Sequence, residues 1–387
     1  MRQPLPTGSV IGIMGGGQLG RMLAMEARRL GYRSCVLDRD PHSPAAQVAD
    51  EQIRGDVGDP EAARALGRRV QVATYEFENI PFAAVEAVES VVPVFPSSGV
   101  LRIAQHRILE KQTLSDLGFP VPRFHAVRSN EDLEQGWRSL RPPLVLKTAT
   151  SGYDGRGQAV VRSLEEAAAA WTHLRGACDT WILEEFLDLD LELSVVCARD
   201  DDGRTACYPP AENQHRDGIL DVTLVPARVP SAVAHRAREL AAAITSRLGV
   251  VGLLAVEMFL TREGALLVNE LAPRPHNSAH YTLDACATSQ FEQLVRVLCR
   301  LPLGATDLQS PAAMANLLGD LWQADGQINV AGALAVPDVR LYLYGKAAAR
   351  QGRKMGHLCC LAPSVERAFD HVARARAALA EPRGGGS

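Results

Sequence analysis

Several absences narrow the class of this 387-residue chain. No apolar run approaches the roughly 18 residues that a membrane span requires. The segment Met1 to Ser9 holds one Arg, two Pro and no long apolar stretch, so no secretory leader is expected. Positive charge is not in excess: 41 Lys and Arg face 45 Asp and Glu, a net charge of −4. Neither a nucleic-acid coat nor a membrane-surface protein is therefore expected. The eight cysteines form no C-x-x-C pair, which leaves no zinc spacing and predicts reduced thiols in a cytoplasmic protein. The phosphate loop G-x-x-x-x-G-K-[ST] is missing as well. No repeat is present, and low complexity is confined to Gly384–Ser387, read as a flexible tail.

What is present suits a globular enzyme of two to three domains, with 47% hydrophobic and 22% charged residues. Val10–Met14, Ser34–Leu37, Gln71–Thr74 and Val91–Phe95 read as strands. Leu19, Met22, Leu23, Ala27 and Leu30 mark one helix face between the first two. That rhythm predicts a parallel sheet with crossover helices. Further on, helices are predicted over 106–117, 163–174 and 232–248. Strands are predicted over 144–147, 159–161, 181–185, 191–198, 253–260 and 265–269. Past Pro302 the pattern reads as short strands and turns.

Gly15-x-Gly17-x-x-Gly20 follows a strand and opens a helix, and Asp38 ends the next strand. This matches the dinucleotide fingerprint. A helix N-terminus behind glycines suits any phosphate, including that of a ribonucleotide, and a plain tight turn fits the glycines too. Downstream, Lys147 ends a strand just before Ser151-Gly-Tyr-Asp-Gly-Arg-Gly-Gln158, a glycine hairpin able to close over a triphosphate. Glu184-Glu185-Phe186-Leu187 ends another strand, where backbone could meet an adenine edge and Glu192 a ribose. Glu257 and Glu270 interrupt two apolar strands joined by a short turn. Buried carboxylates are costly unless paired or metal-bound. Two of them beside Asn269 offer hard oxygen ligands for magnesium; pairing with Arg or Lys is the other reading. Arg274-Pro-His-Asn-Ser278 follows as a polar, proline-stiffened loop suited to an acceptor substrate.

Taken together these segments resemble the ATP-grasp superfamily and, within it, the 5-(carboxyamino)imidazole ribonucleotide synthases. The resemblance rests on Gly-Gly-Gly-Gln-Leu-Gly-Arg-Met (15–22), Gly-Tyr-Asp-Gly-Arg-Gly-Gln (152–158), Asn-Glu-Leu-Ala-Pro-Arg-Pro-His-Asn-Ser (269–278) and Gly-Arg-Lys-Met-Gly-His (352–357). It implies an α/β fold in three parts: a doubly wound parallel-sheet domain over 1–100, an ATP-grasp domain over 101–302 with a lid at about 120–187, and a β-rich domain over 303–383. It also implies that ATP is held by Arg107, Lys147, the loop Gly152, Tyr153, Asp154, Gly155, Arg156, Gly157 and Gln158, then by Glu184, Glu185, Phe186, Leu187, Glu192, His215, Asn269 and Glu270.

By the same resemblance Glu257 and Glu270 hold Mg2+ or Mn2+. Tyr153, Asp154, Arg156, His276, Lys346 and Arg353 surround 5-aminoimidazole ribonucleotide and carboxyphosphate. Gln18 and Leu19 approach the ribonucleotide phosphate, and Asn277, Ser278 and Lys354 add substrate contacts. The implied activity is ATP- and bicarbonate-dependent carboxylation of that ribonucleotide in purine synthesis by a cytoplasmic homodimer. Competing expectations are a sister ATP-grasp ligase, such as a formate-dependent glycinamide ribonucleotide transformylase or a biotin carboxylase, a nicotinamide oxidoreductase, and a non-catalytic nucleotide sensor.

Overall fold

A computed structural model describes residues 3–150, 157–174, 179–323 and 325–381. The tail 384–387 and the loop residues Gly152, Tyr153, Asp154, Gly155 and Arg156 lie outside the described residues. Three sheets organise the rest.

The first is parallel, in the order β3-β2-β1-β4, from β1 (Val10–Met14), β2 (Arg33–Leu37), β3 (Glu51–Ile53) and β4 (Val72–Tyr75). The helix Gln18–Arg29 packs Leu19, Met22, Leu23 and Ala27 inward, as its periodicity predicts. Gly31, at a φ of +82°, turns the chain out of it. Val91–Phe95 differs from expectation. It contributes only a bridge between Val94 and Ala73, because Pro93 and Pro96 remove the N–H groups that a longer ladder needs.

The second sheet is antiparallel, in the order β5-β8-β6-β7, from β5 (Phe124–Val127), β6 (Leu144–Thr148), β7 (Gln158–Val161) and β8 (Trp181–Glu185). Its apolar face closes over Trp171 and Trp181, whose rings meet edge to face 5.8 Å apart.

The third sheet has nine strands. It runs β14-β13-β9-β11-β12-β15-β17-β16, with β10 added to β9. These are β9 (Leu189–Arg199), β10 (Thr205–Cys207), β11 (Ala211–Arg216), β12 (Ile219–Val225), β13 (Gly252–Thr261), β14 (Leu266–Ala272), β15 (Ala312–Leu318), β16 (Val339–Leu343) and β17 (Lys354–Leu361). The C-terminal strands thus continue the central sheet through the β12–β15 pairing. Two C-terminal elements were not expected from sequence. In β17, Met355–Cys360 are buried on both faces, so no alternation marks the strand. The helix Val365–Ala380 buries Val365, Ala368, Val372, Ala375 and Leu379, a helical stripe weakened by its alanines. All seven cysteines among the described residues are buried and unbridged. Among those residues no helix is long and apolar enough to cross a membrane.

Candidate active site

The three sheets meet at a cleft of about 690 Å³. The parallel sheet contributes Gln18, Leu19, Glu76 and Glu78, all just past the carboxyl ends of its strands, where open α/β sheets bind ligands. The small sheet contributes Lys147, Gln158 and Glu184, Glu185, Phe186 and Leu187. The large sheet and its loops contribute Glu192, His215, Glu257, Asn269, Glu270, His276, Asn277 and Lys354, and Arg107 enters from the helix Arg107–Asp116. Segments more than 300 residues apart in sequence therefore share one cavity.

At its centre, Glu257 and Glu270 are direct register partners on β13 and β14, so both carboxylates stand on one sheet face. The Glu257 Oε1 lies 2.9 Å from His276 Nε2, and the Glu270 Oε2 lies 3.0 Å from Arg107 Nη1. Burial opposes ionisation of Glu257, yet the hydrogen bond and charge of His276, with His215 and Arg274 behind it, hold its pKa below the ordinary value. His276 is engaged at both ring nitrogens. Its Nδ1 lies 2.7 Å from the Ser278 hydroxyl, which lies 2.7 Å from that of Ser194. Ser278 is thus a buried support for the ring rather than part of the cleft wall.

On the opposite wall, Lys147 Nζ donates to Glu184 Oε2 at 2.7 Å, and Lys111 Nζ stands 3.6 Å from the other oxygen. Burial would raise the Glu184 pKa, but Lys111 and Lys147 outweigh it and bring it down to about 2. Glu184 therefore aims Lys147. Glu192 accepts from His215 at 2.9 Å; burial depresses the imidazole pKa, but this bond and charge raise it overall. Phe186 is half exposed at the rim. The Gly157 carbonyl accepts from Thr148 N–H at 2.8 Å, and a β-carbon at Gly157 would lie 2.8 Å from the Thr148 hydroxyl. Lys346 donates to the Lys354 carbonyl at 2.7 Å and sits 5.6 Å from the Tyr344 ring centre. Arg353 donates to the Ala348 carbonyl at 2.9 Å. Neither of these two lines the cleft, although Lys346 is near enough to favour ionisation of Glu76.

At the Gly15–Gly20 turn three of the backbone amides are met by the protein's own acids. The amides of Gly17 and Gly20 donate to the Glu76 carboxylate, the latter at 2.9 Å, and Gly16 N–H donates to Asp38 at 2.8 Å. A β-carbon at Gly16 would collide with Ser43, and one at Gly17 with Glu76. The glycines make room for the protein's own acids, which occupy the helix N-terminus that a dinucleotide would need. Gln18 and Leu19 still face the cleft. Glu76 and Glu78 were missed from sequence, although their place just beyond a parallel strand was a usable signal. Burial raises the Glu76 pKa despite the two amides. Glu78 is paired to Arg274, with Nη2 to Oε1 at 2.8 Å, which overcomes burial and brings its pKa down to about 2. Also missed were Glu110 and Lys111, which share a helix face with Arg107 at i+3 and i+4. Burial pushes the Glu110 pKa up to about 8 against the pull of Lys111, and it pushes that of Lys111 down.

The acidic pair fits a divalent cation of the magnesium type. Among the described residues no three His, Cys, Asp or Glu side chains converge as a complete protein cage. Two carboxylates on one sheet face, each bonded through a single oxygen, leave the remaining ligands to water and phosphate oxygens, as magnesium prefers.

Comparison with known proteins gives three family matches along the chain. Residues 9–105 match the ribonucleotide synthetase preATP-grasp domain, 112–291 the ATP-grasp domain, and 312–370 the phosphoribosylaminoimidazole carboxylase C-terminal domain. The N5-carboxyaminoimidazole ribonucleotide synthase of Bacillus subtilis is 45% identical over 363 residues, covering 92% of each chain. The Thermus thermophilus N5-carboxyaminoimidazole ribonucleotide synthetase superposes with a TM-score of 0.87 at 39% identity, over 97% of this chain and 99% of that one. The N5-carboxyaminoimidazole synthase of Aspergillus clavatus, solved with ADP and 5-aminoimidazole ribonucleotide, gives a TM-score of 0.90 at 32% identity, over 96% and 99%.

Proposed function

Because the chain belongs to the N5-carboxyaminoimidazole ribonucleotide synthase family of ATP-grasp ligases, we propose that its cleft joins bicarbonate to the exocyclic amine of 5-aminoimidazole ribonucleotide at the expense of ATP. The observation that carries this reading is the register-paired Glu257 and Glu270 facing the Lys147–Glu184 wall of the same cleft. Bicarbonate attacks the γ-phosphorus, the bond to the bridging oxygen of ADP breaks, and carboxyphosphate forms. The amine nitrogen then attacks its carbonyl carbon, or the carbon dioxide it releases. The carbon–oxygen bond to phosphate breaks, and phosphate carries off the amine's proton.

The chain's own groups divide this work. Lys147, aimed by Glu184, neutralises charge spreading over the phosphoryl oxygens. Glu257 and Glu270 would hold Mg2+, for which Mn2+ could substitute; bound there, the ion would supply Lewis-acid screening of the triphosphate charge. His276 braces Glu257 against the Ser278–Ser194 hydroxyls and faces the acceptor. Glu184, Glu185, Phe186 and Leu187 take the adenine end, Glu192 with His215 the ribose, and Asn269 and Gln158 the phosphates. Gln18, Leu19, Asn277 and Lys354 hold the ribonucleotide. Lys346 and Arg353 join it once Lys346 leaves the Lys354 carbonyl. Tyr153, Asp154 and Arg156 serve the ribonucleotide and the labile carboxyphosphate, whose reaction needs water kept away. The working form is a cytoplasmic homodimer with functional segments 1–100, 101–302 and 303–383.

A phosphate-release assay tests the reading. Release should require bicarbonate and magnesium and match carboxylated product one to one when aminoimidazole ribonucleotide is present. Release driven by formate, or none with bicarbonate, contradicts it.

A further inference from the structure

β14 is the last strand of the nine-stranded sheet, and beside the bulge described next its Val268 N–H donates to the Pro120 carbonyl at 2.8 Å. Its register with β13 slips between Glu257 and Met258: Glu257 faces Glu270, Met258 faces Val268, and Asn269 is left without a register partner. This is a β-bulge, a device that re-aims side chains and leaves backbone groups unpaired. A bulge in an edge strand, left without side-chain support, would let Glu270 wander relative to Glu257.

The helix Arg107–Asp116 lies against this edge and meets three consecutive residues of it. Lys111 Nζ donates to the Asn269 carbonyl at 2.8 Å, Arg107 Nη1 to the Glu270 carboxylate at 3.0 Å, and Leu271 N–H to Glu110 Oε2 at 3.2 Å. Glu110 and Lys111 are each only 2% exposed and do not line the cleft. Burying two ionisable groups is costly. A helix meant only to cover an edge strand would present apolar side chains there.

We propose that Lys111 and Glu110 are positioning residues that pin the bulge at Asn269 and so fix the aim of Glu270 toward the position facing Glu257. The proposal rests on the functional reading above only in giving Glu270 a metal to hold. Lys111 also links the two walls, since the ammonium that grips the bulge stands 3.6 Å from Glu184, the carboxylate that aims Lys147.

The test uses the full chain carrying Lys111→Met, which keeps the stem and removes the donor. In ligand-free protein, amide exchange across residues 266–272 should rise about tenfold while the other strands of the sheet keep their rates. The magnesium concentration for half-maximal bicarbonate-dependent phosphate release should rise about 10- to 100-fold, with KM for the ribonucleotide unchanged. Glu110→Leu should do the same more weakly. Glu110→Gln, whose amide oxygen still accepts from Leu271 N–H, should restore wild-type values. A folded Lys111→Met with wild-type exchange and wild-type magnesium demand overturns the proposal. If Lys111→Met does not fold, the contrast between Glu110→Leu and Glu110→Gln decides, and equal behaviour of the two overturns it. Should the wild-type protein release no phosphate, the functional reading falls, and the exchange rates still judge whether the bulge is pinned.

Discussion

Two parts of the cleft treat negative charge in opposite ways. At the Gly15–Gly20 turn the protein supplies the anions itself, with Glu76 and Asp38 capping the amides that the glycines expose. At the β13–β14 pair, two carboxylates stand on one face and are each tied through one oxygen, so their charge points into the cleft. A glycine motif states only that backbone comes close to something. The side chains that the fold brings there decide whether that something is a ligand or the protein. The dinucleotide fingerprint is therefore formally complete here yet filled from within.

The largest effect is expected at Glu270. Glu270→Ala should cut ATP cleavage by at least about 100-fold, since charge stabilisation of the transferring group is lost, while thermal melting stays close to wild type. Preserved turnover would remove the metal assignment. Lys147→Met should follow, with ATP affinity lower by about 10-fold or more from loss of a charge-assisted contact. It should also lower stability, because Glu184 loses the nearer of its two lysines; nucleotide titration and melting report the two effects separately.

The turn should respond in the other sense. Gly17→Ala forces a β-carbon into Glu76 and should cost about 1–3 kcal/mol of stability by overpacking. The KM for ATP in the folded fraction should not change. No binding of NAD should appear in either protein; saturable NAD binding would restore the oxidoreductase reading.

Stability should also slope with pH. The Glu110 pKa is raised from 4.5 to about 8, chiefly by burial, so the folded state keeps a proton that the unfolded state releases. Its contribution to stability is full below about 4.5 and is lost as pH rises through about 8. Glu110→Gln, which cannot ionise, should flatten the fall in unfolding free energy across that window, as denaturant titrations at several pH values would record.

The sequence was readable where chemistry and periodicity coincide along a short stretch. The hairpin of β13 and β14 announced itself by two apolar runs around Thr261–Gly264, and two acids within them marked the site. Lys147 at a strand end and the Arg274–Ser278 loop were legible for the same reason. The residues that hold these groups in place were not. Lys111 grips Asn269 across 158 positions, and Glu76 reaches Gly20 across 56. Nothing local in either segment states the partner. The C-terminal strand and helix escaped notice because a strand buried on both faces and an alanine-rich helix both blur the period that reveals them.

A crystal structure with magnesium and a non-hydrolysable ATP analogue would show directly whether Glu257 and Glu270 share an ion. One ion is expected with an oxygen of Glu257 and an oxygen of Glu270 each about 2.0–2.1 Å away, its other ligands being phosphate oxygens and water. An ion bound elsewhere, with Glu257 still on His276 and Glu270 still on Arg107 and neither touching it, would contradict that expectation.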